Sequence, residues 1–580
     1  MASSVAYTAS DAFFEALSEF GIQACFVNLG SDHPSPIESM LKGQKEKRKN
    51  FPTIYTCPNE MVALSMADGW ARATGRVQAV IIHVDVGTQA LGAAMPPVLI
   101  FAGLCPYIED DELPGSRTEY QHWLQDAPDQ KALVRQYCRY VGEFRTGSTV
   151  KKTVARALQF AMSDPKGPVY LAGAREVMAE TVQPQKFDAG QYGPIGPSAL
   201  PQSAVDKISE ALLNAKSPLI ITGYSGRNHA CPAELVRLAD MIPGLQVSDT
   251  GGCDMCFPAS HPAYLGFRLS FDKSATEADV IFVLDCDVPW IPSRNRPRED
   301  AIIYRVDVDP LNSTIGVYLT TSELAKENLA DEESAKRHKA VAKKYQERME
   351  SIAKLATLPS DGSLDIHYVG AALKSAAPRD TVFVVEAATC AMALSGQLQV
   401  EIPGSWINSA GAGLGWSGGA VPGSVYWTAS RYGIPVLTIV LNNRGWNAPR
   451  QSHRLVHPTG LGATASNKDM HISLDPYPDY SGIAKAAAGD DFGSLQGSLF
   501  AAKVSTTMEL SDVLSKAVKE VQNGRGAVYN GLFYRSPVLI CVCNKFSRHN
   551  MVTNSPTDMD STRTEHRIDS LKFTSTPPST

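Results

Sequence analysis

The acidic residue in the most suggestive surroundings is Glu60. It ends the turn Cys57-Pro-Asn-Glu60, between a β-rich run and a helix whose inner positions are small, Ala63, Ala67 and Ala71. The positive end of that helix would favour the charged carboxylate, whereas burial would raise its pKa. On these residues alone, Glu60 reads first as a helix-start acid and second as a catalyst. The pair Asn442-Asn443 directly follows the apolar run from Val436 to Leu441. Two asparagines after a strand form a turn unless their surroundings say more. His83 sits within an apolar run and reads as a core histidine, whereas His33 falls on the loop after the first strand. Cys253 and Cys256 make a lone CxxC without the second pair that a zinc site needs.

These residues need a scaffold. Apolar β-rich runs alternate with helical patterns along most of the chain, which argues for parallel sheets covered by helices. Strands are expected at 24–29, 53–56 and 77–84, at 218–222, 280–284 and 302–308, and at 381–385 and 436–442. A helix is expected over 61–74. Residues 181–200 and 357–364 read as linkers. The expected fold class is therefore α/β with three domains, 1–180, 201–355 and 365–535, each holding a mainly parallel sheet flanked by helices. Residues 545–580 are polar and aperiodic and are expected to be a disordered tail.

The stretch from Asn59 through Glu60 to Gly75 resembles the activating-glutamate helix of the thiamine diphosphate-dependent enzymes, of the acetolactate synthase and benzoylformate decarboxylase type. Phe26-Val-Asn-Leu-Gly-Ser31 upstream, and Asp85-Val-Gly-Thr88 and Leu124-Gln-Asp-Ala-Pro128 downstream, continue the likeness. Ser409-Ala-Gly-Ala-Gly-Leu-Gly-Trp416 and the run from Trp427 to Trp446 resemble the diphosphate-binding part of that family. The resemblance implies that the Glu60 carboxyl hydrogen-bonds the cofactor's aminopyrimidine ring and so activates the thiazolium. It implies that Gly413, Leu414, Asn442, Asn443 and Trp446 contact thiamine diphosphate. It gives Mg2+ a side-chain oxygen of Asn443 and the backbone carbonyl of Gly445. Gln125, in the Gln-x-x-Pro match, and His33, on a loop bordering the family's active site, become candidate catalytic residues. The implied activity is decarboxylation or carboligation of a small 2-oxo acid, by a homodimer or homotetramer with its active sites between subunits. FAD or a nucleotide in the central segment is a secondary alternative, resting on the weak turn Thr222-Gly-Tyr-Ser-Gly-Arg227.

The sequence also departs from this family. The family has Gly-Asp-Gly some way before the double asparagine, but no Asp or Glu occurs between Glu401 and Asn443. The third domain is thus expected to be internally truncated, without its charged metal ligand and one central strand. A second shortening lies near Leu91 to Pro97, and Gly489 to Phe500 reads as added sequence. These departures set a second expectation beside the first: a catalytically defective paralogue or a mis-spliced product, poor at holding the cofactor and poorly folded in its third domain.

At 580 residues the chain has room for three or four domains of about 150 residues each. With 54 basic against 60 acidic residues and no long basic block, nucleic acid is not an expected partner. No apolar run reaches the ~18 residues of a membrane span. The start has neither a basic nor an apolar leader region, and the 11 cysteines are irregularly spaced. Both features lead to the expectation of a cytoplasmic protein.

Overall fold

The computed structural model describes residues 6–92, 97–268, 273–309, 331–387, 390–408, 424–489, 499–532 and 538–543. Three α/β layers are built on sheets of six, five and six strands. The first sheet holds β1 (Ala24–Val27), β2 (Thr53–Thr56), β3 (Gln78–Ile82), β4 (Val98–Leu104), β5 (Tyr140–Phe144) and β6 (Val169–Ala174). Their order is β2-β1-β3-β4-β6-β5, and every pairing is parallel. Strands β3 and β6 are buried at every residue, as near-continuous apolar runs covered on both faces should be. Phe13, Phe101 and Leu158 pack on one side of this sheet, and Ala63, Ala67 and Tyr170 pack on the other.

The second sheet holds β7 (Pro218–Thr222), β8 (Gln246–Asp249), β9 (Tyr264–Phe267), β10 (Val280–Leu284) and β11 (Ile302–Val306). It too is wholly parallel, in the order β11-β10-β7-β8-β9. β8 and β9 were not foreseen. Gln246-Val-Ser-Asp249 carries only one strongly apolar residue, yet all four residues are buried in the sheet.

The third sheet holds β12 (Val382–Glu386), β13 (Trp406–Asn408), β14 (Val436–Asn442), β15 (Phe500–Val504), β16 (Ala527–Leu532) and β17 (Val538–Cys543), in the order β13-β12-β17-β14-β16-β15. Five of these strands run parallel. β17 lies in the centre and runs antiparallel to both neighbours. Its register sets Cys543 opposite Val382 and Leu539 opposite Glu386 on one side. On the other, Cys543 faces Val436 and Val538 faces Leu441. The slot left by the shortened middle of this domain is therefore taken by a segment beyond residue 535, and the expected gap in the sheet is closed. Residues 93–96, 409–423, 490–498 and 544–580, which include Gly413, Leu414 and the polar tail, lie outside the described residues.

Cutting the chain after Leu532 removes β17 and strips ladder partners from five residues of β12 and six of β14. At about 0.5–1.5 kcal/mol per hydrogen bond, the loss is on the order of the stability of a domain. The expected outcome is rapid hydrogen exchange at the amides of 382–386 and 436–441, with the amides of β3 still protected. Unchanged protection of β12 and β14 in the truncated chain would remove β17 from the sheet.

Candidate functional site

Glu60 is the first residue of the helix Glu60–Thr74. Asn59 caps this helix by accepting the Met61 N–H at 2.9 Å, and Gly75, in the left-handed region at φ 70°, ends it. Glu60 is half-buried and lies against Gly87. A Cβ on Gly87 would stand 3.1 Å from Glu60 Oε1 and 3.2 Å from His83 Cβ. The carboxylate and the histidine thus flank one glycine. Gly30 makes the matching allowance on the other side, where a Cβ would fall 1.9 Å from His83 Nδ1.

His83 is held by a buried acid. Its Nδ1 makes a short hydrogen bond to Asp32 Oδ1, and Asp32 Oδ2 accepts the Val84 N–H at 3.0 Å. Burial by itself would lift the Asp32 carboxyl, but the charges and hydrogen bonds of His33 and His83 hold it well below the usual carboxylate range. The bond to Asp32 raises the His83 pKa above 6.5 against the opposing effect of burial, and the nearby charge of Glu60 adds to the rise.

The two histidines exchange the places expected of them. His33 is fully buried, directly precedes the helix Pro34–Lys45 and packs edge-on to Phe101 at 6.1 Å. Its Nδ1 lies 3.2 Å from Asp32 Oδ1 and accepts the Gly30 N–H at 3.2 Å. Its Nε2 has no hydrogen-bond partner among the described residues. His33 is thus a core residue that steadies Asp32. His83, with 20% of its side chain exposed, is the one beside Glu60. The apolar run of β3 alone would bury His83, but it stands one residue past the strand, where the chain turns.

That turn is positioned by a residue the sequence did not mark. Gln130 is buried, accepts the Asp85 N–H at 2.8 Å, and donates to Gly103 O at 2.9 Å and to Tyr170 Oη at 2.7 Å. Tyr170 in turn bonds Thr88 at 2.8 Å. Asp85 takes φ 40°, a strained value for a non-glycine residue, and leads directly into Gly87. Gln125, singled out earlier, is half-buried at the end of the short helix Gln121–Leu124, five residues before this network.

In the third layer, Asn442 ends β14 and is buried, and Asn443 is half-buried. Asn442 Oδ1 accepts the Arg444 N–H at 2.9 Å, and Asn443 Oδ1 accepts the Gly445 N–H at 3.1 Å. These are two consecutive Asx turns, with Arg444 at φ 63° between them. Asn442 Nδ2 is buried without a partner among the described residues. Gly445 bridges to Ser473, and Trp446 is 56% exposed. Among the described residues, no hydrogen bond or ion pair joins Glu60 to Asn443. The layers do touch elsewhere: Tyr432 meets Thr56 and Tyr55, and Arg72 Nη1 donates to Asn408 O at 2.6 Å.

The donor set fits one part of a thiamine cofactor and not the other. A half-buried carboxylate beside a glycine suits a proton-sharing contact with a ring nitrogen. A hard dication wants several oxygens with carboxylates among them, and here it would find a neutral amide already engaged in a turn and a backbone carbonyl. Among the described residues no cluster of three His, Cys, Asp or Glu could hold a metal. In the central layer, Arg227 is paired with Asp285 at 2.5 Å, and burial pushes Asp249 up to about 7. Arg227, the cation of the Thr222–Arg227 turn, is thus already engaged by Asp285.

Comparison with known proteins points the same way as the geometry of the first layer. Residues 7–133 match the model for the N-terminal TPP binding domain of thiamine pyrophosphate enzymes, 205–317 the central domain, and 417–528 the C-terminal TPP binding domain. Benzoylformate decarboxylase of Pseudomonas aeruginosa is 23% identical over 76% of this chain and 87% of its own length. The acetolactate synthase large subunit of Haemophilus influenzae is 22% identical over 74% of this chain and 80% of its own. The solved structure of a thiamine diphosphate-dependent 4-hydroxybenzoylformate decarboxylase from Rhodococcus jostii superposes with a TM-score of 0.69 at 19% identity. It spans 91% of this chain and 100% of that one. No helix among the described residues is long and apolar enough to cross a membrane.

Because the Asp32 bond raises the His83 pKa, His83 stabilises the fold fully below its ordinary value of 6.5, and that contribution is lost as pH rises through the raised value. Urea midpoints of the intact chain are expected to fall as pH rises above 6.5. Asp32→Asn should lower stability by on the order of 3 kcal/mol and flatten that fall. An equal slope in the variant would detach His83 from Asp32.

Proposed function

Since the chain belongs to the thiamine pyrophosphate enzyme family, we propose that it is a lyase or transferase acting on a small 2-oxo acid, with Glu60 as its activating carboxylate. The observation that carries this reading is the placement of Glu60 at a helix start against Gly87, with His83 on the same glycine. Bound thiamine diphosphate supplies a carbon nucleophile for the substrate carbonyl and accommodates the charge left when CO2 departs. Glu60 would share a proton with the pyrimidine ring from its half-buried place beside Gly87. His83, held by Asp32, can carry a proton near Glu60 at neutral pH. Gln130 and Tyr170 hold the Asp85–Thr88 turn, so Gly87 keeps the space that Glu60 needs. Glu60 and Asn443 belong to different layers, and a homodimer that sets the first layer of one copy against the third layer of another would bring the two halves together.

The donor set at Asn443 supports a second statement: the Mg2+-diphosphate end is weak in this chain. No acid occurs between Glu401 and Asn443, and the Asn443 amide oxygen already accepts a backbone N–H. A catalytically silent member of the family that binds the cofactor poorly is therefore the second reading, and cofactor retention separates the two.

Two measurements test these readings. CO2 release from pyruvate and from benzoylformate should fall by about 100-fold or more in Glu60→Gln, with an unchanged unfolding midpoint. Equal turnover in the variant would dismiss Glu60. Calorimetric titration with thiamine diphosphate and Mg2+ should show weak binding that Asn443→Asp tightens by about tenfold, because a charged oxygen replaces a neutral one. Stoichiometric retention of both through gel filtration by the unaltered chain would refute the weak metal end.

A further inference from the structure

The central layer holds a site that none of the chemistry above uses. A cavity of about 270 Å3 opens between β9, the short helix Ser274–Glu277 and the long helix Asp331–Leu355. Four cationic side chains line it, Arg268, Lys273, Lys344 and Arg348, against the acids Glu277 and Glu347. Both acids sit on lysines: Glu277 lies 3.7 Å from Lys344, and Glu347 lies 3.7 Å from Lys343, and among the described residues neither pairs with an arginine. Neither guanidinium forms an ion pair among the described residues.

The two arginines face the same small space. A Cβ on Gly266 would lie 3.5 Å from Arg348 Nη1 and 3.6 Å from Arg268 Nε, so the guanidiniums flank this glycine. Arg348 is fixed in place. Its Nη2 donates to Ala259 O at 3.0 Å, and its guanidinium carbon stands 5.5 Å and 5.3 Å from the ring centres of Tyr264 and Tyr345. The Nε atoms of both arginines are buried without a hydrogen-bond partner among the described residues. Burial first, and then the neighbouring Arg268, depress the Arg348 pKa, although the tyrosines oppose this. Two like charges held together in a partly dry pocket are unfavourable unless an anion joins them. Guanidinium forks match phosphate oxygens two at a time, and exposed lysines add point charge.

We propose that this cavity binds a small phosphate-bearing anion between Arg268 and Arg348, with Lys273 and Lys344 at its rim. The volume lies just below the roughly 300–1,000 Å3 of pockets for drug-sized ligands, so it suits a phosphomonoester or a diphosphate rather than a dinucleotide. Neither Asn443 nor the loops that follow β7 and β10 line this cavity, and the site does not depend on the proposed reaction.

The test is calorimetric titration of the full chain with sodium pyrophosphate and with glycerol phosphate at fixed ionic strength, with chloride as the control. Both anions are expected to bind. Affinity should fall at least tenfold in the double variant Arg268→Gln with Arg348→Gln, and at least threefold in Lys273→Ala with Lys344→Ala. Asn443→Ala should leave glycerol phosphate binding unchanged, which separates this cavity from the diphosphate end of the third layer. If the arginine pair does not fold, the exposed lysine pair decides the matter. Heats equal to the chloride control, or unchanged affinity in either folded double variant, overturn the proposal.

Discussion

Buried backbone groups must be paired, and in the third layer that requirement falls on β12 and β14. These strands run parallel to each other with room for one strand between them. Of the chain that links them, residues 387–435, the only strand among the described residues is the edge strand β13. The opening is closed by β17, which comes from the far end of the domain and enters in the opposite direction. Its register runs up to Leu441, so the residue next to Asn442 is paired directly with it. The asparagine turn, which is the recognisable part of the diphosphate end, thus rests on a segment beyond the 417–528 match to the family model.

The first layer meets its constraints more conventionally. Buried charge is tolerated there because it is shared: Asp32 is joined by two histidines and a backbone N–H, and it leaves His83 oriented beside Glu60. Close approach is bought with glycines at Gly30 and Gly87, where a side chain would collide with His83 or crowd Glu60. The strained Asp85 persists because Gln130 and Tyr170 determine the turn around it.

The two ends of the expected cofactor site therefore stand on unequal footing. One has a half-buried carboxylate, a histidine neighbour whose pKa is raised by Asp32, and a turn held by Gln130. The other has neutral oxygens already occupied in Asx turns. In the central layer Arg268 and Arg348 face one cavity, whose acids Glu277 and Glu347 are paired with lysines.

The sequence by itself determined the fold class and most of the parallel strands, because continuous apolar runs such as β3, β7 and β14 carry their own periodicity. It also determined the place of Glu60 at a helix start and the lack of acids before Asn443, since both are local facts of residue type and spacing. Only the tertiary structure decided which histidine lies beside Glu60, because that turns on how Asp32 reaches across from another loop. It also decided that Gln130 positions the site turn, that Arg268 meets Arg348, and that β17 fills the third sheet. Each of these joins segments distant in sequence, or sets the direction of a strand among partners, and neither residue propensity nor spacing along one stretch of chain encodes such a choice.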